Sequence, residues 1–119
     1  MKEKVSIIIP CYNVEKWILR CLDSVFAQDT ALVDYEVICV DDKSTDGTLA
    51  QLLNYEKTHS ENMIVIPLEE NGRQGRARNI GFDYAAGNYV MYVDADDMLA
   101  PDMLSRLYET LLKYQCDVA

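Results

Sequence analysis

The chain switches back and forth between short, nearly continuous apolar runs and longer stretches in which apolar residues return every three or four positions. Runs of the first kind are Val5–Ile9, Glu36–Val40, Met63–Pro67 and Tyr89–Val93. They are rich in Val, Ile and Tyr, and an apolar run without polar alternation predicts a strand covered on both faces, as in a parallel sheet. After the first run, Val14, Trp17, Ile18, Cys21, Leu22 and Val25 fall at i, i+3, i+4, i+7, i+8 and i+11, one face of a helix entered from Asn13 as its N-cap. A second helix follows Ser44 or Thr45 as cap and carries Leu49, Leu52 and Leu53. A third places Ala77, Ile80, Gly81, Tyr84 and Ala85 on one side and stops at Gly87. The fourth opens with Pro101 in its first turn and has Leu104, Leu107, Tyr108, Leu111 and Leu112 as its stripe, after which Asp117-Val118-Ala119 reads as the approach to another strand.

Strand and helix in alternation predict an α/β fold: an open, mostly parallel sheet with helices on both faces, a Rossmann-like arrangement with right-handed crossovers. A length of 119 residues, half of them apolar, suits one domain over 1–119 with a single core. In such a sheet ligands sit outside the carboxyl ends of the strands. Those ends carry Pro10-Cys11-Tyr12-Asn13, Asp41-Asp42 and Asp94-Ala95-Asp96-Asp97, so the polar clusters converge on one edge.

Charge narrows the partners. With 20 acidic against 11 basic residues the formal charge is −9, which repels nucleic-acid backbones and anionic membranes. No apolar run is long enough to cross a bilayer, and Val5–Ile9 is too short for a signal peptide, so a cytoplasmic protein is expected. Cys11, Cys21, Cys39 and Cys116 form no Cys-x-x-Cys pair and have too little His among them for zinc; they read as reduced thiols, Cys21 and Cys39 as small core residues, and Cys11, the one near a strand end, as packing ahead of a site role.

Asp94 and Asp96 stand two apart at a strand exit, a spacing that sends both carboxylates to one side while Ala95 points away. Oxygen ligands without His or Cys suit Mn²⁺ or Mg²⁺, which keep positions for water and phosphate oxygens. A cation also resolves an electrostatic conflict, because a diphosphate cannot rest on an Asp-rich loop without one. Asp97 and Asp102 are expected to cap the Pro101 helix instead. Asp42 offers an acceptor to a nucleobase N–H, whereas Asp41 or Asp46 fits helix capping better. The Asn71–Asn79 stretch has two glycines and three arginines but matches neither a dinucleotide fingerprint nor a P-loop. Arg76 and Arg78 lie roughly 200° apart on an ideal helix, and Arg78 is the one expected at an anion. Tyr12 reads equally as a stacking platform or as packing; Trp17 is assigned to the core stripe and His59 to the surface.

The ordered set Val5-Ser6-Ile7-Ile8-Ile9-Pro10-Cys11-Tyr12-Asn13, Val40-Asp41-Asp42-Lys43-Ser44-Thr45-Asp46-Gly47-Thr48, Ala77-Arg78-Asn79-Ile80-Gly81 and Asp94-Ala95-Asp96-Asp97 resembles the family 2 glycosyltransferases, which have the GT-A fold. The resemblance covers essentially the whole chain in the family's order. It implies an inverting transfer of a sugar from a nucleoside-diphosphate donor, usually a uridine one, to an acceptor hydroxyl of a carbohydrate or other compound. Carried over by position, it implies that Pro10, Tyr12 and Glu15 meet the nucleotide, Asp42 the base and Arg78 the donor pocket. It further implies that Asp94, Ala95 and Asp96 meet the ribose and diphosphate, with Asp94 and Asp96 at the metal and Asp96 as the direct ligand. The family's general base, an Asp or Glu, belongs to the half that follows Asp-x-Asp and is expected beyond Ala119. On that reading the chain is the donor-binding portion of a longer enzyme, at the cytoplasmic membrane face if the remainder brings it there, and an exposed sheet edge favours a homo-oligomer. The rivals are a non-catalytic nucleotide-binding module and a phosphoacceptor receiver domain. A receiver, however, carries its acidic pair after the first strand and a Lys after the last, and here the pair follows the second strand and that Lys is missing.

Overall fold

The computed structural model describes residues 2–72 and 75–114. Four strands, β1 (Lys4–Cys11), β2 (Asp34–Asp41), β3 (Met63–Pro67) and β4 (Tyr89–Tyr92), alternate with α1 (Ile18–Phe26), α2 (Thr48–Thr58), α3 (Arg76–Tyr84) and α4 (Met103–Tyr114). The sheet is parallel throughout and runs β3-β2-β1-β4. The chain therefore moves outward from β1 to β3 and then returns across the sheet, so the order reverses between β1 and β4. That reversal is a topological switch point, and it locates the ligand crevice at the carboxyl ends of these two strands.

The absence of polar alternation in β1 follows from double coverage. Val5, Ile7, Ile9 and Cys11 face a core built with Ile18, Leu22 and Val25 of α1, Leu52 of α2 and Leu104 and Tyr108 of α4. Ile8 faces the other way and packs with Ile38, Val40 and Ala77, where α3 is the covering helix. Ser6 lies on this second side with no exposure; its hydroxyl donates to Glu36 and accepts the N–H of Gly87 at 2.8 Å. Gly87 is there because a Cβ would stand 2.7 Å from the Lys4 carbonyl oxygen.

Several expectations need correction. Asn13 does not cap α1: it takes a left-handed φ of 52°, unlike an N-cap, and the helix starts at Ile18 after a turn in which Trp17 and Ile18 both donate to the Val14 carbonyl. Trp17 is 41% exposed rather than core, because the delayed start turns it outward. Leu53, Tyr84 and Leu112 are likewise exposed, each at the margin of its helix's packed face. Helix α3 ends at Tyr84, with Ala85 already extended, three residues before Gly87. His59 is half-buried, its ring stacked on Tyr55 at 4.3 Å and 4.4 Å from Phe26. Helix α2 begins at Thr48, later than a Ser44 or Thr45 cap would start it. Cys116 and the Asp117-Val118-Ala119 approach lie outside the described residues. Among the described residues no helix is long and apolar enough to cross a membrane.

Gly81 tests how tightly α3 sits on the sheet. Alanine in a helix interior gains up to about 1 kcal/mol over glycine. Here its Cβ would stand 2.5 Å from Cγ2 of Ile8, a side chain with no exposure. Overpacking of a core costs about 1–3 kcal/mol. Gly81→Ala is therefore expected to lower the urea midpoint; a higher midpoint would mean that α3 shifts freely.

Candidate functional site

The exits of β1, β2 and β4 enclose an open cleft of about 380 Å³ at the switch point. Of the residues singled out from sequence, Pro10, Tyr12, Asp42, Arg78 and Asp94 line it. Tyr12 stands 47% exposed at its mouth. Glu15, Ala95 and Asp96 are not part of that lining. Ala95 is 5% exposed, its methyl belonging to the core. Glu15 instead accepts the Gly47 N–H on Oε2 at 2.9 Å, tying the loop after β1 to the start of α2.

That tie is one of a set. The Asn13 N–H donates to Ser44 Oγ at 3.0 Å, Asn13 Oδ1 accepts the Thr45 N–H at 2.8 Å, and the Val14 N–H donates to Thr48 Oγ1 at 2.9 Å. Asp41, buried, accepts both the N–H and the hydroxyl of Ser44 at 3.2 and 2.6 Å. Asp46 accepts the N–H and hydroxyl of Thr48 at 2.9 and 2.6 Å, closing a turn at the entrance to α2. Asp41 and Asp46 are thus occupied locally, but neither is the cap expected of them: the N-cap of α2 is Gly47, with no side-chain hydrogen bond. Asp42 gives one oxygen to the Gly72 N–H at 2.8 Å. Gly72 and Asn71 also line the cleft, although sequence reasoning treats their whole loop as a weak anion site. Arg73 and Gln74 of that loop lie outside the described residues.

Arg78, in the first turn of α3, points into the cleft. Its Nη2 is 3.5 Å from Asp94 Oδ1, and its guanidinium carbon is 5.8 Å from the centre of the Tyr92 ring. Arg76 turns away and donates to the Glu70 carbonyl at 3.3 Å. Past β4 a turn closed by the Asp97 N–H on the Asp94 carbonyl, 3.0 Å, brings Asp94, Asp96 and Asp97 together, with one carboxylate oxygen of each within 4.8 Å of the others. The expected capping role of Asp97 is therefore corrected: the turn carries its carboxylate to the other two. Asp102 stands directly before α4, where its carbonyl accepts the Arg106 N–H at 3.0 Å, and its carboxylate lies 3.8 Å from the same Arg106 in an i,i+4 ion pair. The signal for Asp97 is the unbroken Asp-Ala-Asp-Asp run, which a tight turn folds onto itself. All three carboxylates are exposed and offer oxygen alone, a donor set that fits a hard divalent cation with room for water or phosphate oxygens.

Cys11 reaches the cleft as a buried thiol, in an environment that favours its protonated form. Its interaction with the Cys39 thiol, burial and the charge of Asp41 raise its pKa well above the ordinary thiol value. Burial, with Cys11, Asp97 and Asp96 adding to it, pushes Cys21 up to about 12.

The family model for glycosyl transferase family 2 matches residues 6–119. A poly(ribitol-phosphate) beta-glucosyltransferase of Bacillus spizizenii is 44% identical over 116 residues, 97% of this chain and 18% of that protein. Staphylococcus aureus TarS, residues 1–349 in complex with UDP, superposes with a TM-score of 0.82 at 36% identity, over 97% of this chain and 33% of that one. The mannosyltransferase PcManGT of Pyrobaculum calidifontis, in complex with GDP-Man and Mn²⁺, has a TM-score of 0.85 at 30% identity, over 93% of this chain and 33% of that one. The chain spans about a fifth of the length of curated relatives such as the B. spizizenii enzyme.

Asp46 generates a pH test. Partial desolvation raises its pKa, but the Thr48 hydroxyl and amide and the amides of Glu15 and Asp46 outweigh it, so the net shift is downward. A carboxyl held below its unfolded value adds stability above that value and loses it as pH falls through the folded pKa. The stability gap between wild type and Asp46→Asn is expected to be flat near neutrality and to close below about pH 4, read from urea midpoints. A gap independent of pH would contradict this.

Proposed function

This chain belongs to glycosyl transferase family 2, and from that membership we propose that residues 1–119 form the donor-binding domain of an inverting glycosyltransferase that takes a nucleoside-diphosphate sugar, a uridine one, into the cleft between β1 and β4. The observation that carries the proposal is the convergence of Tyr12, Asp42, Arg78 and Asp94 on one cleft beside the carboxylates of Asp96 and Asp97. Membership in this family also sets aside the receiver reading. A non-catalytic nucleotide-binding module is not favoured, since the relatives matched are named as transferases.

Tyr12, exposed at the mouth, stacks on the base. Asp42 has one oxygen on Gly72 and presents the other to the base N–H. Pro10 shapes the floor beside the ribose, and Glu15 acts by holding the Tyr12 loop against α2. Asp94 and Asp96, with Asp97 beside them, would hold Mn²⁺ or Mg²⁺, Asp96 as the direct ligand, and the backbone at Ala95 completes the turn. When bound, the cation supplies Lewis-acid stabilisation of the charge that develops on the departing diphosphate, worth several kcal/mol. Arg78 adds a fixed positive charge at the same end of the cleft. The acceptor hydroxyl, of a carbohydrate or other compound, attacks the anomeric carbon from the side opposite the diphosphate, and the configuration inverts. Its proton goes to a general base, an Asp or Glu contributed by residues following Ala119. A reducing, cytoplasmic location suits the free thiols of Cys11, Cys21 and Cys39.

UDP is expected to raise the melting temperature only when Mn²⁺ or Mg²⁺ is present, and Asp96→Ala to abolish the shift. At a hundredfold excess over Kd the stabilisation is about 2.7 kcal/mol. Equal stabilisation by UDP in chelator would count against the metal.

A second measurement isolates the base. Loss of an aromatic platform costs about 1–3 kcal/mol per base, so Tyr12→Ala should weaken UDP binding in calorimetric titration by roughly fivefold or more while Tyr12→Phe stays near wild type. Equal affinities for all three would remove Tyr12 from the site.

A further inference from the structure

The last ladder bond at the β4 exit is the Val93 N–H on the Ile8 carbonyl, 3.0 Å. Beyond it the chain that carries Asp94, Asp96 and Asp97 is held from the side, by helix α1 and the residues just after it. Arg20 and Ser24 stand at i and i+4 on one face of α1, and Gln28 follows two residues past its last turn. Arg20 Nη2 donates to the Asp96 carbonyl at 3.4 Å, and the neighbouring Cys21 thiol lies 3.7 Å from the Asp94 carbonyl. Ser24 Oγ accepts the Leu99 N–H at 3.0 Å while donating to the Cys21 carbonyl at 2.7 Å. Gln28, only 6% exposed, donates from Nε2 to the carbonyls of Ala100 and Ser24 at 2.7 and 3.1 Å, and its Oε1 accepts the Leu104 N–H at 2.8 Å. The Asp29 N–H donates to the Pro101 carbonyl at 3.1 Å, closing the set.

From these contacts we infer that Ser24 and Gln28 are positioning residues for the carboxylate loop: they fix the backbone between β4 and α4 and thereby set where Asp94, Asp96 and Asp97 stand for a divalent cation. The inference rests on the reading of that loop as the metal site. Its physical basis is the Gln28 amide. A buried primary amide is costly unless paired, and this one pairs both of its polar ends with backbone of the same segment, holding the first turn of α4 and the residues before it as one piece. A carboxylate on an exposed turn otherwise samples many orientations. A ligand set is preorganised only when its backbone is fixed, and removing such an outer support lowers metal affinity by about tenfold or more.

The test is Mn²⁺ titration of the full chain with UDP present, read by water-proton relaxation, together with amide hydrogen exchange. Gln28→Met keeps the volume and removes the hydrogen bonds. It is expected to weaken Mn²⁺ binding about tenfold, and to speed exchange at Leu99 and Leu104 while Ile7 and Ile38 stay protected. Ser24→Ala should do the same to a smaller extent, and Ser24→Thr, which keeps the hydroxyl, should restore binding. Should Gln28→Met fail to fold, the Ser24 pair decides the matter alone. Faster exchange at Leu99 with unchanged Mn²⁺ affinity would overturn the positioning role and leave a structural cap. Absence of Mn²⁺ binding in the wild type would overturn the metal reading itself, and the role inferred for α1 with it.

Discussion

Strand β1 has no face or edge of its own to give to solvent: Ile7, Ile8 and Ile9 have no exposure, and β2 and β4 pair with it on either side. An open sheet with its first strand in the middle must be extended in both directions, so the chain has to cross over β1 to reach β4. That crossing is what puts α3, alone of the helices among the described residues, on its side of the sheet, and it is what needs Gly81 and Gly87, where a side chain would meet Ile8 or the Lys4 carbonyl. It also creates the crevice. The cleft is where it is because the strand order reverses there, before any functional side chain is considered.

Hydrogen bonding then sorts the acidic residues. Asp41, Asp46, Glu15 and Glu36 accept from nearby backbone or hydroxyl donors and fasten loops together. Such carboxylates are acceptors already satisfied, and their charge is held in the service of the backbone. Asp42 is half committed, through Gly72. Asp94, Asp96 and Asp97 face solvent with their oxygens close together. A chain of net charge −9 thus employs Glu15, Asp41 and Asp46 at the strand exits in holding loops, and leaves three further acids gathered at one corner.

Much of this was legible in the sequence for physical reasons. Buried strands announce themselves as unbroken Val and Ile runs, which is why β1 to β4 fall where the apolar runs predict, with β1 and β2 extending a residue or two further at each end. Local chemistry was readable where one residue acts on its near neighbours, as Asp46 does on Thr48. Long-range pairing was not. Asn13 has the residue type of a helix cap, yet its partners Ser44 and Thr45 come from another loop, and only the parallel pairing of β1 with β2 brings them together. Gln28 carries no signal in its own neighbourhood, because its partners Ala100 and Leu104 lie more than seventy positions away. His59 looked superficial in a polar stretch; Tyr55, which stacks on it, is one turn away in α2, but Phe26, the other covering ring, comes from α1.

The charge balance at the cleft decides how an anionic ligand can enter. Near a protein surface two unit charges about 4 Å apart interact by about 4 kcal/mol before salt screens them. Arg78 offsets part of the charge on Asp94, but at 3.5 Å with both side chains about half exposed the pair is an exchangeable surface contact worth at most about 1 kcal/mol. Arg78, with Arg20 at the Asp96 carbonyl, sets two guanidiniums against three carboxylates whose oxygens lie within 4.8 Å of one another, so the loop alone keeps a negative surplus. A diphosphate brought there would meet a surplus of like charge, and moving Arg78 onto the phosphate would leave Asp94 more negative still. The deficit has to be made good by a charge that belongs to neither partner, which is why, under the proposed function, the cation is a condition of donor binding rather than an addition to it.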